Sequence, residues 1–233
     1  MTERAIDELR PVSVELGFTA STPGSVLISM GRTRVLCTAS IDDEMPRWMR
    51  DSGKGWVTAE YAMLPGSSNE RIRRDHISGG RAKEISRLIG RALRAAVNLK
   101  AMGELMVRVD CDVIEADGGT RTAAITGAWI ALHQALEDAV DRELIPANPI
   151  IDEVAAISVG IVDGENVLDL DYEKDVSAEV DLNVVMSGRG LLVEVQGTAE
   201  GAPFTREDLN DLLDLATKGI SELHDLQRRA VAE

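Results

Sequence analysis

Apolar and polar residues alternate along residues 12–18 and 105–113 with the two-residue period of half-buried strands, and shorter strand-like runs fill 25–30, 33–40 and 56–63. A turn-rich STPGS follows the first run and Gly31-Arg32 joins the next two, so residues 12–40 read as an antiparallel meander. The pattern then switches to the 3.6-residue period of a helix. Over 82–100, Ile85, Leu88, Ile89, Ala92, Leu93, Ala96 and Val97 share one face, with Lys83, Arg87, Arg91 and Arg94 opposite. A second helix is expected over 122–142, where Ala123, Ala124, Gly127, Ala128 and Ala131 are small enough to let it lie close against a sheet. Residues 154–162 and 167–172 read as strands joined by Asp163-Gly164, a strong hairpin signal. Asp169 and Asp171 alternate with Leu168 and Leu170, which points both acids away from the core. Further strands are expected over 182–186 and 191–197. Thr205 and Asp208 form a capping box before a last helix over 206–229, whose Leu212, Ala216, Ile220 and Leu223 face the core.

A chain of 233 residues can bury a sizeable core, as one large domain or two small ones. Its apolar runs fall far short of the roughly 18 residues that a membrane span needs. The first 12 residues are too charged for a signal peptide. Cys37 and Cys111 stand alone in apolar runs and read as small buried hydrophobes of a reducing compartment. A cytoplasmic protein without membrane contact is expected. The formal charge of −15 argues against a general nucleic-acid coat. Residues 71–100, however, hold nine Lys or Arg against two acids, so the remainder carries −22. Such a patch suits a local anionic ligand, or else a basic helix face in salt bridges. Neither a GxxxxGK[ST] nor a GxGxxG motif occurs, which disfavours P-loop hydrolysis and dinucleotide redox chemistry.

The candidate chemistry centres on DGGTRTAAITGAW at 117–129. Gly118 and Gly119 permit a tight turn, Thr120 or Thr122 could cap the following helix, and Arg121 stands at its mouth. Amides at a helix start, backed by the dipole and a planar guanidinium, make a phosphate-sized anion site. An ordinary strand–turn–helix with a solvated Arg is the competing reading. Arg81 follows Gly79-Gly80 at another helix start, where the dipole disfavours a cation by roughly 0.3–1 kcal/mol unless an anion is near. Residues 65–80 lack periodicity and carry Arg71, Arg73 and Arg74, as a backbone-holding loop or a solvated one would. Asp175, Glu179 and Asp181 lie close to the apolar run 182–186. They could share a Mg²⁺ whose shell is completed by water, or be exposed acids.

Taken in order, Arg-Pro at 10–11, GSVLISMGRTRVLCTAS at 24–40, GWVTAEYAMLP at 55–65, GGRAKEISRLIGRALRAAV at 79–97, VDCDVIEADGGTRTAAITGA at 109–128, VGIVDGENVLDLDY at 159–172 and VEVQGTAEGAPF at 193–204 resemble the bacterial ribonuclease PH family along nearly the whole chain. The resemblance implies an α+β fold of β-sheets packed with helices, here over 1–233 as a single domain. It implies a phosphate-dependent 3′→5′ exoribonuclease that trims tRNA precursors, releases nucleoside diphosphates and runs in reverse as a nucleotidyltransferase. It also implies Mg²⁺, inorganic phosphate as co-substrate, and a homohexameric ring built as a trimer of dimers. By the same resemblance Arg81, Gly119, Thr120 and Arg121 hold phosphate, Asp175 and Asp181 are the catalytic, metal-holding carboxylates, and Arg71, Arg73 and Arg74 hold RNA. The chain departs from the family pattern in its shorter basic loop, with Asp75-His76-Ile77-Ser78 in place of Gly-Lys-Gln, and in lacking an Asp-Gly-Arg near the N-terminus. Two other classes stand beside this one: a non-catalytic RNA-binding subunit of the same fold, and a small-molecule phosphotransferase.

Overall fold

A computed structural model describes residues 4–42, 45–73 and 79–232. The first sheet is built from β1 (Val12–Leu16), β2 (Gly24–Met30), β3 (Thr33–Asp42), β4 (Trp56–Met63) and β5 (Met106–Glu115), in the order β1-β2-β3-β5-β4. The meander β1-β2-β3 is antiparallel as expected, and β5 continues it against β3. β4 instead runs parallel to β5, with α1 (Gly80–Ala95) lying between them in the chain. A parallel pair needs such a crossover. The second sheet, order β7-β6-β8-β9, is antiparallel throughout: β6 (Val154–Val162), β7 (Glu165–Leu168), β8 (Val180–Ser187) and β9 (Leu192–Ala199). Asp163 and Gly164 have φ of 51° and 76°, the positive pair that a two-residue hairpin of matching twist requires.

α2 (Thr120–Asp141) packs on β2, β3 and β5 of the first sheet and on β6 of the second. From Thr122 to Leu132 every residue is buried, whereas Glu137 and Asp141 near its end are exposed. The small residues serve the expected purpose. A Cβ on Gly24 would lie 2.0 Å from the carbonyl oxygen of Ala131, and one on Gly127 would lie 2.7 Å from Ile28 Cγ2. Cys37 and Cys111, paired across β3 and β5, are free and buried beneath this helix. α4 (Arg206–Val231), opened by the Thr205–Asp208 capping box, packs on β6, β7, β8 and α2. Apolar side chains from both sheets and these helices merge in one core. Each Leu or Ile buried there contributes about 1.5–3 kcal/mol.

Two expected elements differ. α1 ends at Ala95 rather than near residue 100, because Val97 leaves the helix to bridge Ile150. Its Arg94 does not join a solvated stripe: the guanidinium lies 4.3 Å above the Trp56 ring and donates to the Val57 carbonyl at 2.8 Å. Arg91 pairs with Glu194 of β9. The expected strand over 167–172 stops at Leu168, since Asp169 adopts φ of 56° and turns the chain inward. A short helix, α3 (Tyr172–Ser177), follows.

Candidate active site

The turn into α2 depends on both glycines. Gly118 and Gly119 have φ of 74° and 64°, a region that L side chains rarely adopt. A Cβ on Gly118 would also lie 2.4 Å from the Leu170 carbonyl oxygen, so the turn sits against the segment leading into α3. Gly119 is the N-cap residue, and no side chain caps the helix. This corrects the expectation of a threonine cap. Thr122 donates to the Gly119 carbonyl at 2.8 Å, and the Thr120 hydroxyl meets the Tyr61 hydroxyl at 2.8 Å. Neither α1 nor α2 has an acid in its first turn. Both positive helix ends therefore remain open to an anion.

Both starts open on one cavity of about 350 Å³. Arg81, Gly119, Thr120 and Arg121 line it from the first-sheet side, and Asp175 and Asp181 from the second. The six residues nominated from sequence for phosphate and for catalysis are thus brought together. Met63, Ser158, Tyr172, Asn183 and Glu200 line it as well. Arg71 and Arg73 are exposed and are not among the lining residues, and Arg74 lies outside the described residues, as do residues 75–78.

The two arginines are held differently. Arg121, its side chain 18% exposed, donates through Nη1 to Gln196 Oε1 at 2.7 Å, and Gln196 in turn donates to Glu84 at 2.9 Å. Arg81 is exposed and makes no hydrogen bond or ion pair among the described residues. Opposite them, Asp181 is half-buried on β8. Asp175 has an exposed residue surface yet lines the cavity from α3. Loss of water and then the charge of Asp181 push the Asp175 carboxyl above its ordinary value, against the opposing pull of Arg81, Arg121 and Arg10. Asp181 is pushed up in the same direction, by loss of water and then Glu200. A carboxylate whose folded pKa is raised opposes folding when ionised. That cost is full above the raised value, fades as pH falls through it, and is gone below the ordinary value. Burial likewise raises the Tyr61 hydroxyl, countered by its bond to Thr120 and by both arginines.

Several supporting residues have no signal in the sequence spacing. Tyr61 reads there as an ordinary strand position, yet it is buried and fixes the Thr120 hydroxyl. Asp169 reads as solvated, but is completely buried in a two-pronged pair with Arg10, with Nε at 2.9 Å and Nη2 at 2.7 Å. Asp171 is the N-cap of α3, accepting from the Lys174 amide at 3.0 Å. Tyr172 lines the cavity and is 55% exposed, an aromatic residue far in sequence from the basic loop.

Residues 8–136 match the family model described as 3′ exoribonuclease family, domain 1, and residues 152–219 match its domain 2. The ribonuclease PH of Methylobacterium radiotolerans is 57% identical over 234 residues, spanning 99% of each chain. That of Brucella ovis is 54% identical over 235 residues, again spanning 99% of each. The chain belongs to the ribonuclease PH family. The ribonuclease PH-like fold is shared with an Archaeoglobus fulgidus exosome solved with RNA bound to the active site, at a TM-score of 0.81 and 21% identity over 95% of this chain and 90% of that one. In this ribonuclease PH family member, no described helix is long and apolar enough to cross a membrane.

Proposed function

We propose that the cavity is where inorganic phosphate attacks the last phosphodiester of an RNA 3′ end. The protein is a phosphorolytic 3′→5′ exoribonuclease, and in reverse a nucleotidyltransferase. The observation that carries the assignment of the site is the convergence of two uncapped helix starts, each with an arginine, opposite a pair of carboxylates. Two phosphate anions must come within bonding distance. Unit charges 4 Å apart repel by about 1 kcal/mol in water and about 4 at an effective dielectric of 20. Fixed positive charge must therefore be in place beforehand. Arg81, Arg121 and the first amides of α2 hold the nucleophile, and Thr120, steadied by Tyr61, directs its hydroxyl at it. A phosphate oxygen bonds to the phosphorus of the terminal nucleotide while the bond to the preceding 3′ oxygen breaks. The terminal nucleotide leaves as a 5′-diphosphate, and the shortened chain ends in a 3′ hydroxyl whose proton is the one the attacking hydrogen phosphate gives up.

Asp175 and Asp181 fit Mg²⁺, since they present hard oxygen donors whose repulsion a dication would relieve. Mg²⁺ characteristically takes one or two carboxylates plus water and phosphate oxygens, which suits a site where no cluster of three or more His, Cys, Asp or Glu occurs among the described residues. When bound there it would neutralise charge on the scissile phosphate. Tyr172 at the rim offers a ring face to a terminal base. We further infer precursor tRNAs as substrates, with Arg71 and Arg73 gripping the RNA outside the cavity, the same role for Arg74 resting on the sequence alone, and a cytoplasmic location. Residues 1–233 are taken as one ribonuclease PH-type domain, supported by the merged core. Self-association is supported by exposed Leu192 and Val195 on the edge strand β9 and Leu191 just before it, and we infer that it takes the form of a homohexameric ring.

The test is incubation with a 3′-extended tRNA and Mg²⁺, with and without phosphate. Diphosphates should appear only with phosphate. Monophosphates would indicate hydrolysis, and no release would favour a non-catalytic RNA-binding subunit. Asp181→Asn should lower turnover by about 100-fold or more while RNA still binds in a gel-shift assay. Undiminished turnover in that variant would remove the proposed role of the carboxylate.

A further inference from the structure

The two halves of the cavity come from different sheets, and one buried ion pair ties them together. Arg10 lies just before β1, 159 residues from Asp169. Its backbone amide and Nε both donate to Asp169 Oδ2 at 2.9 Å, and Nη2 donates to Oδ1 at 2.7 Å. Nη1 donates to the carbonyl of Asp117, the residue before the glycine turn. Nη2 also lies 3.1 Å from where a Cβ on Gly119 would stand, so the guanidinium packs beneath the turn itself. On the other side, Asp169 holds a left-handed φ of 56°, uncommon for a residue other than glycine. Its amide donates to the Ser158 carbonyl at 2.7 Å, and the next amide, Leu170, donates to Ser158 Oγ at 3.0 Å. Three residues on, α3 begins and carries Asp175. Such strain persists only where the surroundings over-determine it, and it is concentrated at functional sites.

We propose that Arg10 and Asp169 are positioning residues for phosphorolysis: their buried fork sets the glycine turn that presents Thr120 and Arg121 in register with the segment that carries Asp175. A guanidinium suits this task because its planar donors engage a carboxylate and a carbonyl at once, which an ammonium cannot do with the same geometry. Misplacement by about 1 Å can cost on the order of 100-fold in rate, so a fork that touches neither reactant still governs the reaction. This inference rests on the phosphorolysis reading of the cavity.

The experiment compares the full-length wild-type protein with Arg10→Lys and Asp169→Asn, using thermal melts with and without inorganic phosphate, RNA affinity by fluorescence anisotropy, and phosphorolysis at varied phosphate. In Arg10→Lys the phosphate KM should rise by about tenfold or more and the phosphate-induced rise in Tm should shrink, while RNA affinity stays within about twofold. A role confined to stability predicts otherwise: a lower Tm, turnover reduced in proportion to the folded fraction, and an unmoved phosphate KM. That result overturns the proposal. If Arg10→Lys does not fold, Asp169→Asn keeps the shape of the pair and is judged by the same readouts. A wild-type protein that releases no diphosphate overturns the phosphorolysis reading instead. The effect of each variant on phosphate-induced stabilisation then still decides whether the fork shapes the anion site.

Discussion

The starts of α1 and α2 carry similar elements, a glycine pair with an arginine one or two positions on, and are built in opposite ways. At α2 both glycines are left-handed, Gly118 abuts the Leu170 carbonyl, and Arg121 is tied to Gln196. At α1 the N-cap Gly79 is extended, a Cβ on Gly80 would meet nothing within 4 Å, and Arg81 makes no hydrogen bond or ion pair among the described residues. One arginine is placed before any ligand arrives. The other stands at an exposed helix end with no such hold. If both grip the phosphate as proposed, one does so from a prepared position and the other from an open one.

The largest expected effect breaks the rigid half. Gly118→Ala forces a side chain into left-handed backbone and into a carbonyl, and should cost about 2–4 kcal/mol of stability and about 100-fold or more of turnover. Denaturant melts and steady-state rates measure both, and a well-folded, fully active variant would show that the turn can relax. Next, Arg121→Ala and Arg81→Ala should each raise the phosphate KM by about 10- to 100-fold. Only Arg121→Ala should also lower Tm, by about 2–4 °C, because it alone deprives a protein acceptor of its donor. Equal melting temperatures would erase the asymmetry.

Tyr61→Phe removes one oxygen and leaves the ring packed. Loss of its bond to Thr120 should raise the phosphate KM by about 3- to 10-fold, the worth of roughly one hydrogen bond. An unchanged phosphate dependence would mean that the Thr120 hydroxyl orients itself. The smallest effect is expected for Gly80→Ala, neutral or stabilising by up to about 1 kcal/mol, since the position is open and alanine favours helix. A clear loss of stability there would mean that the start of α1 is as constrained as that of α2.

What the sequence revealed follows the range of each interaction. The stripe of α1, the Asp163-Gly164 hairpin and the Thr205–Asp208 box are set by residues a few positions apart, and each is legible. Arg81 and Arg121 are legible as helix-start cations, but their meeting in one cavity is expected only through the family resemblance, because it depends on how the sheets pack. Asp169 is opaque for a specific reason: its alternation with Leu168 and Leu170 mimics a strand, and its partners, Arg10 at 2.7 Å and Arg4 at 3.7 Å, both lie far away in the chain. Arg94 looked solvated because helical periodicity does not record that Trp56, from β4, lies within its reach. Tyr61 looked ordinary since nothing near it in sequence announces Thr120.

Gln196, the residue that steadies Arg121, belongs to β9, the outermost strand of its sheet. An outermost strand has hydrogen-bonded neighbours on one flank only, and its backbone is free to answer to whatever lies alongside. A small shift of that strand would swivel the guanidinium at the far end of the Gln196 contact. If Arg121 holds the attacking anion as proposed, that hold would depend on a strand at the periphery of the sheet, well away from the reacting atoms.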